Sequence, residues 1–74
     1  MLLTELPLNQ ASIISQLPKD ANLHIALLEQ GFFIGADIHI AHRAPFKGSL
    51  AVHILGSTVC ISQTLAAQIE VSLA

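Results

Sequence analysis

The sequence predicts a small, mostly β fold of about five antiparallel strands with one α-helix between the first two strands. Three observations predict it. Short segments with alternating apolar residues recur through the 74-residue chain, and this period of two is typical of half-buried strands. One segment instead has apolar residues at helical spacing, between a candidate N-cap and a glycine. Turn-forming glycine, proline and asparagine residues separate the segments.

The first strand is predicted over residues 11–17 and the helix over residues 21–30. Asn9 marks a turn before the strand, because asparagine tolerates the left-handed backbone. Asp20 is the predicted N-cap of the helix, since its carboxylate can accept from free backbone N–H groups. Gly31 suits the left-handed C′ position that closes the helix. The helix residues expected to face the core are Leu23, Ala26 and Leu27.

The remaining strands are predicted over residues 36–43, 50–55, 58–62 and 67–72. Gly56-Ser57 is predicted as a two-residue hairpin turn of the Gly-X type, and residues 63–65 as a short 3₁₀ turn. One of Phe32 and Phe33 is expected to close the end of the core. The natural closure of such a sheet is an SH3-like barrel, because closure hides most strand edges.

Alternation in the segment 36–43 assigns its side chains to two faces. Ile38 and Ile40 point to the core, and His42 follows them on the same face. The opposite face is predicted to carry Asp37, His39, Ala41 and Arg43.

Composition narrows the class of protein. Residues 1–74 are expected to form a single domain. Cys60 is the only cysteine, so no disulfide forms within the chain, and without a cationic N-terminal signal we expect a cytoplasmic protein. A net charge of −2 argues against nucleic acid, whose phosphates attract basic surfaces.

Charged residues make up only 11% of the chain, against about 25% in ordinary domains. Much of the surface should therefore be apolar or neutral, and such surfaces tend to be covered by a partner or by another copy of the chain. Formation of a homo-oligomer is therefore one of the alternatives. Residues 48–69 carry no charge, but polar residues interrupt the run, so we do not expect a membrane span.

A histidine and cysteine row is predicted on the outer face of the sheet. A turn at Gly56-Ser57 places His53 opposite Cys60, and matching the apolar faces places His39 opposite His53. Two imidazoles and a thiolate could hold zinc or a softer divalent ion, with water as the fourth ligand. No fourth protein ligand is visible, and a register slip removes the row. We expect no resident cofactor beyond weak transition-metal binding, and a metal-responsive domain is the alternative function.

The sequence does not predict an enzyme. Cys60 with His53 as its base would lack a third, orienting group and a pocket. Residues 31–35, GFFIG, have neither a preceding strand nor a following lysine, so they do not fit a phosphate-binding loop. Exposed apolar residues are the better functional candidates: Phe46 in a loop, Leu55, and one of Phe32 and Phe33.

The segment LLEQGF at residues 27–32, the turn at Gly35, the strand of alternating aliphatic residues and RAP at residues 43–45 resemble the FeoA family of ferrous iron transport proteins. The resemblance implies an SH3-like fold and a non-catalytic accessory role. The implied partner is the cytosolic G domain of the membrane ferrous iron transporter FeoB. The segment from Leu27 to Ile34 is expected to contribute to binding. The residues singled out as contacts are Leu28, Glu29, Phe33, Arg43, Pro45, Phe46 and Lys47.

GTPase activation has been suggested for this family by analogy. Arg43 is the only arginine of the chain and therefore the candidate arginine finger. We interpret it instead as an anchor of the loop that follows it.

Overall fold

The computed structural model describes residues 1–44 and 48–74. It confirms a mostly β fold with an α-helix between the first two strands. The elements are β1 (Ser12–Gln16), α1 (Ala21–Glu29), β2 (Asp37–Arg43), β3 (Ser49–Ile54), β4 (Ser57–Ser62), α2 (Gln63–Ala66) and β5 (Glu70–Leu73), with a 3₁₀ turn at Leu3–Glu5 before them. The short helix α2 takes the place of the predicted turn at residues 63–65, and the Ser62 Oγ caps it by accepting from the Leu65 N–H at 3.1 Å.

The five strands form one antiparallel sheet in the order β4-β3-β2-β1-β5. The β2–β3 pair has the predicted register up to residue 40: Ile38 lies opposite Ile54, and Ile40 opposite Val52. These inward side chains are almost fully buried. The largest side chains of the core are Phe32, Leu3, Leu6, Ile14, Leu27, Ile38, Ile40, Leu50, Ile54 and Ile69.

Helix α1 begins and ends as the sequence predicts. The Asp20 carboxylate accepts a hydrogen bond from the Leu23 N–H at 3.0 Å. At the other end, Gly31 has φ +94°, and its N–H donates to Leu28 O at 3.0 Å. The Phe32 N–H donates to Leu27 O at 2.9 Å. This pair of bonds is a Schellman motif, which a left-handed glycine permits.

The Schellman motif decides which phenylalanine closes the core. Its apolar contact is made between the residue after the glycine and the last turn of the helix, here Phe32 and Leu27, and both are buried. Phe33 is left on the surface. Ala26 was predicted in the core, which is wrong: Ala26 is exposed and Leu23 half-buried, because the helix meets the core mainly through Leu27.

The β3–β4 turn lies one residue earlier than predicted. Ile54 is opposite Ser57, so the two loop residues are Leu55 and Gly56, at φ +50° and +80°. Two positive φ angles are the mark of a type I′ turn, whose twist matches that of the strands. Ser57 therefore belongs to β4 and not to the turn.

A β-bulge changes the second half of β2. The register with β3 shifts between Ile40 and His42, after which His42 lies opposite Ala51 and Arg43 opposite Leu50. Leu50 is buried, so Arg43 is on the core side of the sheet and His42 on the outer side. The predicted faces of these two residues are therefore wrong, because the extra residue of a bulge reverses the alternation that follows it.

Arg43 fastens the N-terminal segment to the sheet. Its Nη2 donates to Thr4 O at 3.2 Å and makes a closer bond to Leu6 O. The side chain is half-buried, and the two carbonyls belong to the segment before β1. Arg43 thus anchors the start of the chain, while the predicted anchoring of the following loop involves residues outside the described part of the chain.

Candidate functional site

Exposed apolar side chains gather around the C-terminal end of helix α1. We call this surface the apolar corner and define it as Ile25, Leu28, Phe33, Ile34 and Leu55, whose exposed fractions are 55%, 45%, 40%, 61% and 60%. Ile25 and Leu28 are three residues apart and therefore share a helix face. Phe33 and Ile34 follow the helix directly. Large apolar residues gathered at one place on a surface are typical of an interaction site.

Leu55 joins the corner from the β3–β4 turn. Its Cδ1 is 3.1 Å from the position that a Cβ atom on Gly31 would occupy. The β3–β4 turn therefore packs against the end of helix α1. An alanine at position 31 would have to displace the end of the Leu55 side chain by a few tenths of an ångström.

The backbone of Leu55 is unusual for a leucine. A left-handed conformation costs a residue with a Cβ about 1–2 kcal/mol, and asparagine, aspartate or glycine is preferred at this turn position. The leucine nevertheless exposes most of its side chain. A strained leucine that stays 60% exposed is a candidate for a functional side chain.

The predicted partner-binding residues do not all lie together. Leu28 and Phe33 are in the apolar corner, with Glu29 exposed beside them at the helix end. Arg43 is turned toward the N-terminal segment. The other three, Pro45, Phe46 and Lys47, lie outside the described residues.

One residue of the corner, Ile25, was not predicted as a contact. It could have been found from its spacing to Leu28 on the helix. Ile34 lies in the segment from Leu27 to Ile34 that was expected to bind. Leu55 was predicted as an exposed residue, which is confirmed, although it lies in the turn and not on a strand.

The outer face of β2 and β3 carries the predicted histidine pair. His39 lies opposite His53, and their rings stack with centroids 5.1 Å apart and an angle of 26° between their planes. Both side chains are half-buried. The bulge adds His42 to the same face, opposite Ala51.

The predicted third member of the row does not lie opposite His53. Cys60 pairs with Ala51, and His53 pairs with Thr58, because the β3–β4 turn is one residue earlier than expected. Cys60 is exposed on the outer face, diagonal to His53. Within residues 1–44 and 48–74, no group of three or more His, Cys, Asp or Glu side chains is arranged to hold a metal ion.

Residues 1–44 and 48–74 form neither a pocket nor a membrane-spanning helix. The described part of the chain forms no cavity that could enclose a small substrate. Among its helices, none is both long enough and apolar enough to cross a bilayer. The candidate functional features of the described residues are two surfaces: the apolar corner and the outer face with the histidine pair.

Comparison with models of protein families shows to which family this chain belongs. The family model described as the FeoA domain matches residues 1–73. The chain belongs to the FeoA family. The family is linked to ferrous iron transport, so the expectation from the sequence is confirmed at that level. No curated protein matches the sequence.

Solved structures agree with the FeoA assignment. The iron(II) transport protein A of Clostridium thermocellum superposes with a TM-score of 0.92 at 27% identity, over 99% of this chain and 45% of that one. The FeoA protein of Chlorobium tepidum gives 0.90 at 20% identity, over 99% and 70% of the two chains.

A third similar structure is Stenotrophomonas maltophilia FeoA, an SH3-domain protein in complex with zinc. It superposes with a TM-score of 0.78 at 26% identity, over 97% of this chain and 89% of that one. The SH3-like fold predicted for this FeoA-family chain is thereby confirmed. The zinc belongs to the Stenotrophomonas structure and does not identify a metal site in this chain.

Proposed function

We propose that this FeoA-family protein is a non-catalytic, cytosolic accessory protein of ferrous iron uptake that binds the cytosolic G domain of the transporter FeoB. The observation that carries the proposal is the apolar corner. Five exposed large apolar side chains at one helix end offer a contact surface, whereas the described residues offer no pocket for a substrate.

The chemistry of the corner suits a protein partner. Leu28 and Phe33 each keep about half of their surface in contact with the fold, so their exposed parts are presented in fixed positions. Interface energy concentrates in a few such anchors, surrounded by contacts that exclude water. Glu29 at the edge of the corner would supply a polar rim. Phe46 and Lys47, which lie outside the described residues, remain predicted contacts.

The proposal is tested by measuring the affinity for the purified G domain of FeoB from the same organism. The titration is run with GDP and with a GTP analogue, because the transporter's nucleotide state can change its surface. Native protein should bind in at least one of the two states. Leu28→Ala and Phe33→Ala should each weaken binding by at least about tenfold, as expected for central anchors of an interface.

The matched control is Leu73→Ala. Leu73 is 56% exposed but lies at the end of β5, outside the apolar corner, so its loss should leave the affinity unchanged. Binding that survives Leu28→Ala and Phe33→Ala would show that the corner is not the interface. Absence of binding by the native protein in both nucleotide states would instead refute the G domain as the partner. A separate Phe46→Ala variant tests the predicted loop contact.

A further inference from the structure

Three of the four histidines share the outer face of β2 and β3. His39 and His53 are directly opposed across the two strands, and their ring centroids are 5.1 Å apart. The third histidine, His42, is displaced along β2 and lies opposite Ala51. An opposed, stacked imidazole pair on neighbouring strands is the starting point of the inference.

We infer that His39 and His53 form a two-imidazole chelate for one divalent transition-metal ion, with zinc as the test case. Neutral imidazole is a good ligand for zinc, copper, nickel and iron. A zinc–nitrogen bond is about 2.0–2.1 Å long, so one ion needs the two nitrogens about 3 Å apart. Opposed residues in a sheet have Cβ atoms about 4.5–5.5 Å apart. Rotation about the side-chain torsions then brings one nitrogen of each ring to a common ion without moving the backbone.

Both rings are available for this role. His24 has a protein neighbour, because its Nδ1 lies 3.4 Å from Pro18 O. In the described part of the chain, none of the side-chain hydrogen bonds involves the ring of His39 or His53. Metal binding would therefore break no internal hydrogen bond, and it requires the two rings to turn from their stacked arrangement.

The charges near the pair favour a cation. The β-bulge turns Arg43 to the core side of the sheet, where its guanidinium binds backbone carbonyls. Without the bulge, the alternation of side chains along β2 would have placed the Arg43 charge on the same face as His39. Asp37 is two residues before His39 on the outer face and is exposed, so it adds a negative charge beside the pair.

The two imidazoles are the whole protein contribution, and water completes the coordination. Cys60 is opposite Ala51, so it is a diagonal neighbour of His53, at the roughly 7–8 Å typical of such pairs. A site open to water on its outer side binds and releases an ion readily, unlike the closed four-ligand sites of structural zinc. This inference does not depend on the proposed partner of the apolar corner.

Calorimetric titration of the native protein with Zn²⁺ tests the chelate. The expected result is one ion per chain. His39→Gln and His53→Gln should each weaken binding by about a hundredfold, since removing one ligand of a chelate removes the effective concentration that the other supplies. His24→Gln and His42→Gln are the matched controls and should bind as the native protein does. Circular dichroism and thermal unfolding without metal establish that each variant is folded.

Three results would overturn the chelate. One is a stoichiometry of half an ion per chain, which means that the ion is shared between two molecules. Another is a Cys60→Ser or His42→Gln variant that loses as much affinity as His53→Gln. The third comes from NMR on the native protein, independently of any variant: Zn²⁺-induced shifts that avoid the side chains of His39 and His53. Shifts centred on these two rings support the site.

Discussion

Leu55 Cδ1 lies 3.1 Å from the position that a Cβ atom would take on Gly31. This approach joins the tip of the β3–β4 hairpin to the end of helix α1. Residues 31 and 55 are 24 positions apart in the sequence. Gly31 therefore meets two requirements: a left-handed backbone at φ +94° and space for the leucine.

Because Gly31 has both a positive φ and the close approach of Leu55, an alanine substitution there should cost more stability than at Gly35. Gly35 has nearly the same φ, +95°, but no atom lies within 4 Å of its Cβ position. Gly35→Ala should lower the free energy of unfolding by about 1–2 kcal/mol from backbone strain alone. Gly31→Ala adds the close contact with Leu55, whose exposed side chain can shift, and should lose a further amount of less than about 1 kcal/mol. Urea denaturation of both variants measures the difference.

A double-mutant cycle assigns that extra loss. In the Gly31→Ala background, Leu55→Ala should cost less than it costs in the native protein, because it removes the collision. Equal destabilisation by Gly31→Ala and Gly35→Ala, with no coupling to Leu55, would contradict the steric argument.

Leu55→Asn should separate stability from binding. Asparagine accepts the left-handed conformation of a type I′ turn with far less strain than leucine, so the substitution should raise the free energy of unfolding by about 1 kcal/mol. For a domain of this size, that corresponds to a rise in Tm of about 4–8 °C. The same substitution removes an exposed side chain of the apolar corner and should weaken binding to the FeoB G domain.

Thermal unfolding and the affinity measurement together decide this prediction. Gly56→Ala is the control for the turn, since its φ of +80° should make alanine destabilising. A Leu55→Asn variant that is less stable than the native protein would mean that the contact with Gly31 outweighs the backbone strain.

Ser12 is the one buried polar residue among those described. Its Oγ donates to Ile38 O at 2.7 Å, which links β1 to β2 where these strands pair over only a short length. Ser12→Ala should lower the free energy of unfolding by about 1 kcal/mol, the usual net value of such a hydrogen bond. Ser15→Ala, at an exposed position of the same strand, should have almost no effect in the same denaturation experiment.

Most of the fold could be predicted because its signals are local. The N-cap Asp20, the left-handed Gly31 and the pairing of Ile38 with Ile54 follow from turn chemistry and from apolar alternation, and all three are confirmed. The position of the β3–β4 turn could not be predicted in this way. The predicted and observed registers both keep the same residues of β3 and β4 on the core side, because they differ by an even number of residues. The hydrophobic pattern therefore does not distinguish them, and Gly-Ser resembles a turn more than Leu-Gly does.

The candidate surfaces could be predicted only in part. The opposition of His39 and His53 followed from the apolar faces, but the position of Cys60 depended on the misplaced turn. The bulge after Ile40 has no glycine or proline to mark it, so alternation placed Arg43 on the wrong face. Contacts between distant segments, such as Leu55 with Gly31, depend on the tertiary fold and have no local signal.

Arg43 should matter for stability rather than for chemistry on a nucleotide. Its guanidinium donates to the carbonyls of Thr4 and Leu6, and a charged donor to a carbonyl contributes about 1.5–3 kcal/mol. Arg43→Ala should therefore destabilise the protein by about 2 kcal/mol and make the N-terminal segment more sensitive to proteolysis. Arg43→Lys keeps the charge but lacks the fork of donors, so it should lose most of the same stability.

The GTPase rate of the FeoB G domain, measured with folded Arg43→Lys at saturating concentration, should equal the rate with native protein. A rate that drops while the variant remains as stable as the native protein would instead identify Arg43 as an arginine finger.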